Sequence, residues 1–121
     1  MLKGVKFVTL PVRNQATAIS FWTEKVGLQI MTDQPFSETQ RWVELGIGSH
    51  PTRLVPFESA EFAGAGAKYM NIAFYTDDVE KTYQELLARG VEFVSPPQKA
   101  EWGTSVQFKD QDGLIFLLSS K

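Results

Sequence analysis

The segment RWVELGI at positions 41–47 holds the residues of greatest chemical interest. Glu44 is the only acidic residue centrally placed in a predicted strand, and strand alternation puts its side chain on the same face as Trp42. A carboxylate in a partly dry cavity can accept a proton or hold a cationic ligand. The alternative is a strand-edge carboxylate paired with Arg41 or Arg53. Glu44 is therefore a candidate catalytic residue, and no other is assigned.

Metal-ligating residues are scarce in this chain, which has one histidine and no cysteine. A divalent catalytic site needs three or four N, O or S donors that converge on one point. A site of two histidines and one carboxylate cannot be built within one such chain. His50 lies in a Gly-Ser-His-Pro turn, which favours a solvated surface histidine over a ligand. We predict no metal and no other cofactor.

A strand–helix–strand unit covers residues 69–97 and organises the second half of the chain. Asp77 or Asp78 can cap the helix, because a short carboxylate accepts from free first-turn N–H groups, and Asp77 has capping-box spacing to Glu80. Gly90 supplies the left-handed position that ends the helix. Apolar residues at helical spacing should face the core, and these are Val79, Tyr83, Leu86 and Leu87.

The same pattern occurs earlier, since residues 7–25 align with 71–89 and Gly27 corresponds to Gly90. Each half reads as βαβββ, which predicts two four-stranded sheets with one helix behind each. The predicted strands are 5–12, 28–32, 41–47, 53–57, 70–76, 91–94, 102–109 and 114–119, and the predicted helices are 15–25, capped by Asn14, and 78–89. We expect a single domain over 1–121, with modules at about 4–57 and 69–120. The connector 58–68 is either a plain linker or a flap over a cavity.

Strand alternation also predicts which side chains share one face of the predicted strands and could line a cavity. The set is apolar and aromatic with a few polar anchors, which is typical of a small-molecule site. The alternative is that these side chains fill the cavity as core. The predicted cavity residues are Phe7, Thr9, Trp42, Glu44, Asn71, Ala73, Tyr75, Gln107, Ile115 and Leu117, with Trp102 at the rim.

Composition excludes several classes of protein. With 43% hydrophobic residues the chain can bury a core, and its net charge of −2 comes without a Lys/Arg run, so no nucleic-acid partner is expected. No apolar run approaches membrane-spanning length, and the N-terminus has no long apolar segment of the signal-peptide type. We expect a cytoplasmic protein with no membrane partner.

Four segments resemble the vicinal oxygen chelate superfamily, which includes glyoxalase I, extradiol dioxygenases and bleomycin-resistance proteins. They are VTLPVRNQATAISFW, RWVEL, GVEFVSPP followed by WGTSVQF, and the closing FKDQDGLIFLL. The resemblance implies an α+β fold in which two βαβββ modules form a curled eight-stranded mixed sheet around a central cavity. In the family's enzymes this cavity holds one divalent metal.

The family's ligand positions hold few donors in this chain. A His or Gln on the first strand of each half would fall on Phe7 and Asn71, and a Glu on the last strand would fall on Leu117. In the first half, the last strand TRLVPF has no carboxylate before Glu58. The resemblance therefore implies a relative that has lost the usual metal site.

These observations favour a metal-independent protein that binds a small aromatic or apolar organic molecule, in the manner of bleomycin-resistance proteins. One alternative is a metal-dependent lyase, isomerase or dioxygenase of the same superfamily, and another is a dimerisation module without a ligand. A homodimer is expected because exposed sheet edges must be covered or paired. Phe57 and Phe62 are the candidate interface residues.

Overall fold

The structure, a computed structural model, describes residues 1–59 and 68–121. It divides into two compact units, Met1–Gly64 and Ala65–Lys121. The first unit contains strand β1 (Phe7–Val12), helix α1 (Gln15–Ser20) with a further π-helical turn (Phe21–Lys25), and strands β2 (Gln29–Pro35), β3 (Arg41–Ile47) and β4 (His50–Glu58). The second contains β5 (Lys68–Thr76), α2 (Val79–Ala88), β6 (Glu92–Phe93), β7 (Gln98–Ala100), β8 (Gly103–Lys109) and β9 (Leu114–Ser120).

The alternation of apolar residues in β1 decides how the first unit packs. Leu10 and Val12 are buried, whereas Phe7 and Thr9 on the opposite face are exposed. Ala18 and Trp22 are fully buried, and α1 packs against β4. The helix therefore covers one face of the sheet, and we call the opposite face the helix-free face of the unit.

The sheet of the first unit has the order β1-β4-β3-β2. β1 runs parallel to β4, whereas the β2–β3 and β3–β4 pairs are antiparallel. Both outer strands of this sheet, β1 and β2, are edges within the unit. β2 is longer than predicted, because residues 33–35 pair with the start of β3 rather than forming a turn. β4 likewise begins at His50, so that residue opens a strand.

A buried glutamine joins the helix to two strands of this sheet. Gln15 Nε2 donates to the carbonyl oxygens of Arg41 and Pro56 at 2.7 and 2.9 Å, and Gln15 Oε1 accepts from the Arg41 amide at 3.1 Å. The β3–β4 ladder runs from Leu45–Leu54 to Ile47–His50. The glutamine amide therefore satisfies backbone groups at the start of β3, beyond that ladder.

The second unit has a five-stranded sheet of order β5-β9-β8-β6, with β7 paired to β8. Its helix-covered face is an aromatic core: Tyr83 of α2 contacts Phe93 at a ring-centroid distance of 4.7 Å, and Phe108 stacks on Phe116 at 5.7 Å. Phe108 and Phe116 are fully buried. The segment predicted as one strand over 91–94 is shorter, and β7 is an additional strand, so the described strands number nine rather than eight.

The turn that joins β8 to β9 is built on a buried carboxyl group. Asp110 Oδ1 accepts from the backbone N–H groups of Asp112 and Leu114, each at 2.9 Å. Oδ2 of the same side chain is buried without a hydrogen-bond partner in the described part of the chain. Burial is the largest influence on this group and raises the pKa of Asp110 to about 6, although the two N–H groups act in the opposite direction.

The two helices begin and end in the same way, which supports the predicted repeat. The side chain of Asn14 accepts from Thr17 N and that of Asp78 from Lys81 N, so each cap serves the amide three residues later. Gly27 and Gly90 both follow their helix at φ 90°, a conformation that favours glycine. The predicted capping box is wrong, because Asp78 caps α2 while Asp77 pairs with Lys121 at 3.0 Å.

Two further expectations need correction. Leu87, expected in the core, is 45% exposed. Along α2 only Val79 and Leu86 are buried, so the buried stripe of the helix is narrower than predicted. The connector 58–68 is shorter at both ends, since Glu58 closes β4 and Lys68 opens β5. Its interior, including Phe62 and the expected flap, lies outside the described residues. Neither described helix is long and apolar enough to cross a membrane.

Candidate functional site

Four aromatic side chains gather on the helix-free face of the first unit, and we call them the aromatic patch. Trp42 is central: its ring centroid lies 5.2 Å from that of Phe7, 5.9 Å from Phe36 and 5.9 Å from Phe57. Phe36 also meets Phe57 edge to face at 5.0 Å. Phe36 is 60% exposed and Phe7 is 38% exposed, whereas the other two rings are half-buried. The patch is thus an apolar surface with two accessible rings.

The spacing of the patch rings determines how a ligand could use them. A flat guest held between two rings needs a gap of about 7 Å, twice the ~3.5 Å contact distance of carbon atoms. The observed centroid separations are all below 6 Å, so the rings already touch one another. A ligand can therefore stack on the exposed rings of the patch but cannot enter between two rings that are in contact.

Alternation and the hairpin between β2 and β3 bring the patch together. Val43 and Leu45 are buried, which turns Trp42 and Glu44 toward the opposite, helix-free face. Phe36 follows β2 in the hairpin turn, where its backbone N–H donates to Gln40 O at 3.1 Å. The side chain of Gln40 in turn exchanges two hydrogen bonds with the backbone of Glu58 on β4.

Glu44 lies beside the patch, and Trp42 holds its carboxylate by a hydrogen bond. The indole Nε1–H of Trp42 donates to Glu44 Oε2 at 2.9 Å, and the carboxylate is half-buried. The sequence-based alternative of an ion pair with Arg41 is wrong, because Arg41 pairs with Asp33. In the described residues Glu44 has no ion pair with Arg53 either. The carboxylate is therefore held by an uncharged donor.

The predicted cavity residues of the second half lie on the helix-free face of their own sheet. Gln107 on β8 pairs with Leu117 on β9, and Leu117 pairs with Ala73 on β5, so these three form one row. Tyr75 lies in the next row with Ser119 and is exposed. Ile115 lies in the preceding row, opposite Tyr69.

Two predicted residues of the second half lie outside this row pattern. Asn71 lies in an irregular stretch of β5, where its backbone is left-handed (φ 59°). The chain advances four residues in β5, from Tyr69 to Ala73, while β9 advances only two, from Ile115 to Leu117. Trp102 is an exposed residue of the turn between β7 and β8. Within the described residues, neither side chain makes a ring contact or a hydrogen bond with the other predicted cavity residues.

The structure therefore brings together only part of the predicted set. Phe7, Trp42 and Glu44 are in direct contact in the first unit, and Thr9 shares their face. Sequence patterns do not single out Phe36, because residues 33–40 are mostly polar and predict a turn. Phe57, a candidate interface residue by sequence, packs within the patch, and its place in a dimer interface stays a prediction. Alternation from the parallel pair Pro11–Phe57 could have placed Phe57 on the Phe7 face.

The residues at the family's metal-ligand positions do not fit a metal. The side chains of Phe7 and Leu117 have no donor atom, and Asn71 offers only a neutral amide. His50 is exposed at the start of β4, and its Nδ1 accepts from the Thr52 amide at 3.2 Å. Over residues 1–59 and 68–121, no three His, Asp or Glu side chains are grouped so as to hold a metal ion.

Comparisons with known proteins agree with this architecture. A protein of Bacillus subtilis (strain 168), described as "Uncharacterized protein YetH", is 41% identical over 118 residues, which is 98% of each chain. TnmS3, an antibiotic binding protein from Streptomyces sp. CB03234, has a crystal structure that superposes with a TM-score of 0.84 at 28% identity, covering 98% of this chain and 96% of that one.

Another similar structure is that of a glyoxalase/bleomycin resistance protein/dioxygenase superfamily member from Sphaerobacter thermophilus DSM 20745. It has a TM-score of 0.88 and 25% identity, and the match covers 99% of this chain and 98% of that one. The family description that matches residues 4–118 is the same superfamily. The match spans both units and nearly all of the chain. The chain belongs to the Glyoxalase/Bleomycin resistance protein/Dioxygenase superfamily.

Proposed function

We propose that this protein binds a small, flat aromatic or apolar organic molecule on the aromatic patch and sequesters it without a metal. The observation that carries the proposal is the patch itself, in which Trp42 contacts three phenylalanines and two of those rings are exposed. Aromatic surface left exposed next to a fixed carboxylate is typical of a binding site rather than of a core.

The physical basis is stacking and burial. Offset or edge-to-face contact between two rings contributes about 0.5–1.5 kcal/mol beyond the burial of apolar area. A ligand of two or three rings that covers Phe36 and Phe7 would be stabilised by both ring stacking and the burial of apolar area. Association has an entropic cost of several kcal/mol. Stacking on an exposed patch therefore supports a dissociation constant on the order of micromolar.

The relatives support binding as the activity. TnmS3 is described as an antibiotic binding protein, and it shares 28% identity with nearly the full chain. We carry over the class of activity, which is the capture of an organic molecule such as an antibiotic. The donor-poor residues Phe7, Asn71 and Leu117 support a site that works without a metal ion.

The test measures the melting temperature of chelator-treated protein with a panel of planar two- and three-ring compounds. A ligand that binds only the folded state must raise the melting temperature. Phe36→Ala should remove most of this rise. Its matched control is Leu87→Ala on α2, a similarly exposed apolar residue outside the patch, which should leave the rise unchanged. Binding that required added metal, or that survived Phe36→Ala, would contradict the proposal.

A further inference from the structure

Trp42 and Glu44 together offer a ligand a hydrogen-bond acceptor but no free side-chain donor. Phe7, Phe36 and Phe57 have no polar side-chain atoms, and the indole N–H of Trp42 is already engaged by Glu44 Oε2. Glu44 therefore presents Oε1 and further lone pairs to a ligand. The complementary ligand group must be a donor or a cation.

The electrostatic character of this surface points the same way. The face of an aromatic ring carries negative partial charge, so four rings and one carboxylate together favour positive charge above them. The carboxylate is half-buried, which strengthens its interaction with a nearby charge relative to bulk water.

No protein cation neutralises the carboxylate in the described residues. Arg41 is engaged by Asp33, and Arg53 makes no ion pair with Glu44, although it pairs in register with Phe7 and Gly46. Removing a carboxylate from water is favourable only when a partner replaces the lost hydration. A bound cation would be that partner.

We infer that the ligand is a cationic aromatic molecule, which stacks on the exposed rings of the patch with a quaternary or protonated nitrogen next to Glu44. This inference rests on the proposed function, because it assigns a charge to the molecule that the patch binds. The N–H of Trp42 holds the carboxylate in place, and the exposed rings of Phe7 and Phe36 contact the ligand. A neutral ring of the same shape would gain only the stacking contribution.

The test compares three probes of one shape by titration calorimetry: N-methylquinolinium, its uncharged isostere methylnaphthalene, and the anion naphthoate. We expect the cation to bind at least about tenfold more tightly than methylnaphthalene, since it adds a cation–π contact and a partly screened ion pair to stacking. Naphthoate should be the weakest of the three. Raising the salt concentration should lower the affinity for the cation.

The decisive variant is Glu44→Gln, whose amide oxygen can still accept from the Trp42 indole. It should abolish the preference for N-methylquinolinium over methylnaphthalene. The matched control is Glu24→Gln, an exposed residue of the π-helical turn that makes the same change in net charge and should retain the preference.

The possible outcomes separate the two proposals. If the cation and methylnaphthalene bind with equal affinity, or if Glu44→Gln keeps the preference, the inferred charge is wrong while the proposed aromatic site stands. If none of the three probes binds the wild-type protein, the proposed function is wrong together with the inference.

Discussion

Trp42 and Glu44, two residues apart in β3, are at the centre of the proposed binding surface. Their hydrogen bond of 2.9 Å links the carboxylate to the ring that contacts every other member of the patch. The sequence was sufficient to place both side chains on one face. It could not supply the partner of Glu44, because nearby arginines are equally compatible with the pattern.

Trp42→Phe tests this placement through tryptophan emission. We expect a bound aromatic compound to change the emission of the wild-type protein and to leave that of Trp42→Phe unchanged, because only Trp42 lies in the patch. The measurement is a fluorescence titration of both proteins and of Trp102→Phe. A change that persists in Trp42→Phe but disappears in Trp102→Phe would instead place the ligand at the turn between β7 and β8.

Asp110 should make stability depend on pH. Its pKa is about 6 in the folded protein and 3.8 is its ordinary value, so the folded state binds more protons than the unfolded state between these values. The free energy of unfolding should therefore fall as the pH rises from about 4 to 7, by roughly 2 kcal/mol.

Asp110→Asn should remove this dependence, because the amide retains the Oδ1 acceptor and carries no charge. Urea unfolding at several pH values measures it, with Glu101→Gln in the exposed turn before β8 as control. A wild-type curve that falls no more steeply than that of Asp110→Asn would refute the assignment.

At the scale of elements, Gln15 holds the start of β3 to both α1 and β4. Gln15→Ala would leave the buried carbonyl of Pro56 and the partly buried backbone groups of Arg41 without their partner, at about 1–3 kcal/mol for each group that stays unsatisfied. We expect the free energy of unfolding to fall by at least about 2 kcal/mol. Gln84→Ala, exposed on α2, is the control and should change it little, since alanine is a good helix former.

Gln15→Glu separates the loss of the donor from the loss of side-chain volume. The new carboxylate would face two carbonyl oxygens and should be at least as destabilising as alanine at neutral pH. If both variants unfold at the wild-type urea concentration, the three hydrogen bonds contribute nothing to stability.

Most elements could be predicted from the periodicity of apolar residues and from the residue types that mark helix ends. The caps Asn14 and Asp78 and the glycines Gly27 and Gly90 mark the helix ends in both halves, because each needs a specific residue type. Gln15 could not be recognised, since a glutamine in the first turn of a helix reads as a solvent-exposed residue. Its burial depends on where β3 and β4 separate, which is a property of the sheet.

The candidate site was predictable only within each sheet. Alternation placed Phe7, Trp42 and Glu44 correctly because one face of each strand must meet the helix. Phe36 escaped notice because it lies beyond the end of β2, in a turn whose composition is polar. Its position depends on the hairpin hydrogen bonds rather than on any pattern in its own segment.

At the scale of the whole molecule, the expected homodimer remains a prediction. β2 is an edge strand of its sheet and is exposed over most of its length, with Ile30 50% exposed. Unpaired edges of this kind invite pairing with another chain. We expect light scattering to give twice the chain mass of 13.6 kDa.

Ile30→Lys should shift the protein toward the monomer, because a charge would have to be buried in the paired edge. Val94→Lys is the matched control, with 49% exposure in the other unit, and should remain dimeric. A monomeric wild-type protein would contradict the expectation.

The irregular stretch of β5 around Asn71 has a consequence for how the chain can change in length. Two additional residues lie between the pairs Tyr69–Ile115 and Ala73–Leu117. Because the number is even, side chains keep alternating between the same two faces of the sheet. Phe74 therefore still reaches the aromatic core, and Ala73 stays on the other face. A single insertion or deletion here would exchange the two faces of everything that follows in the strand. Length variation among relatives at this point should therefore come in pairs.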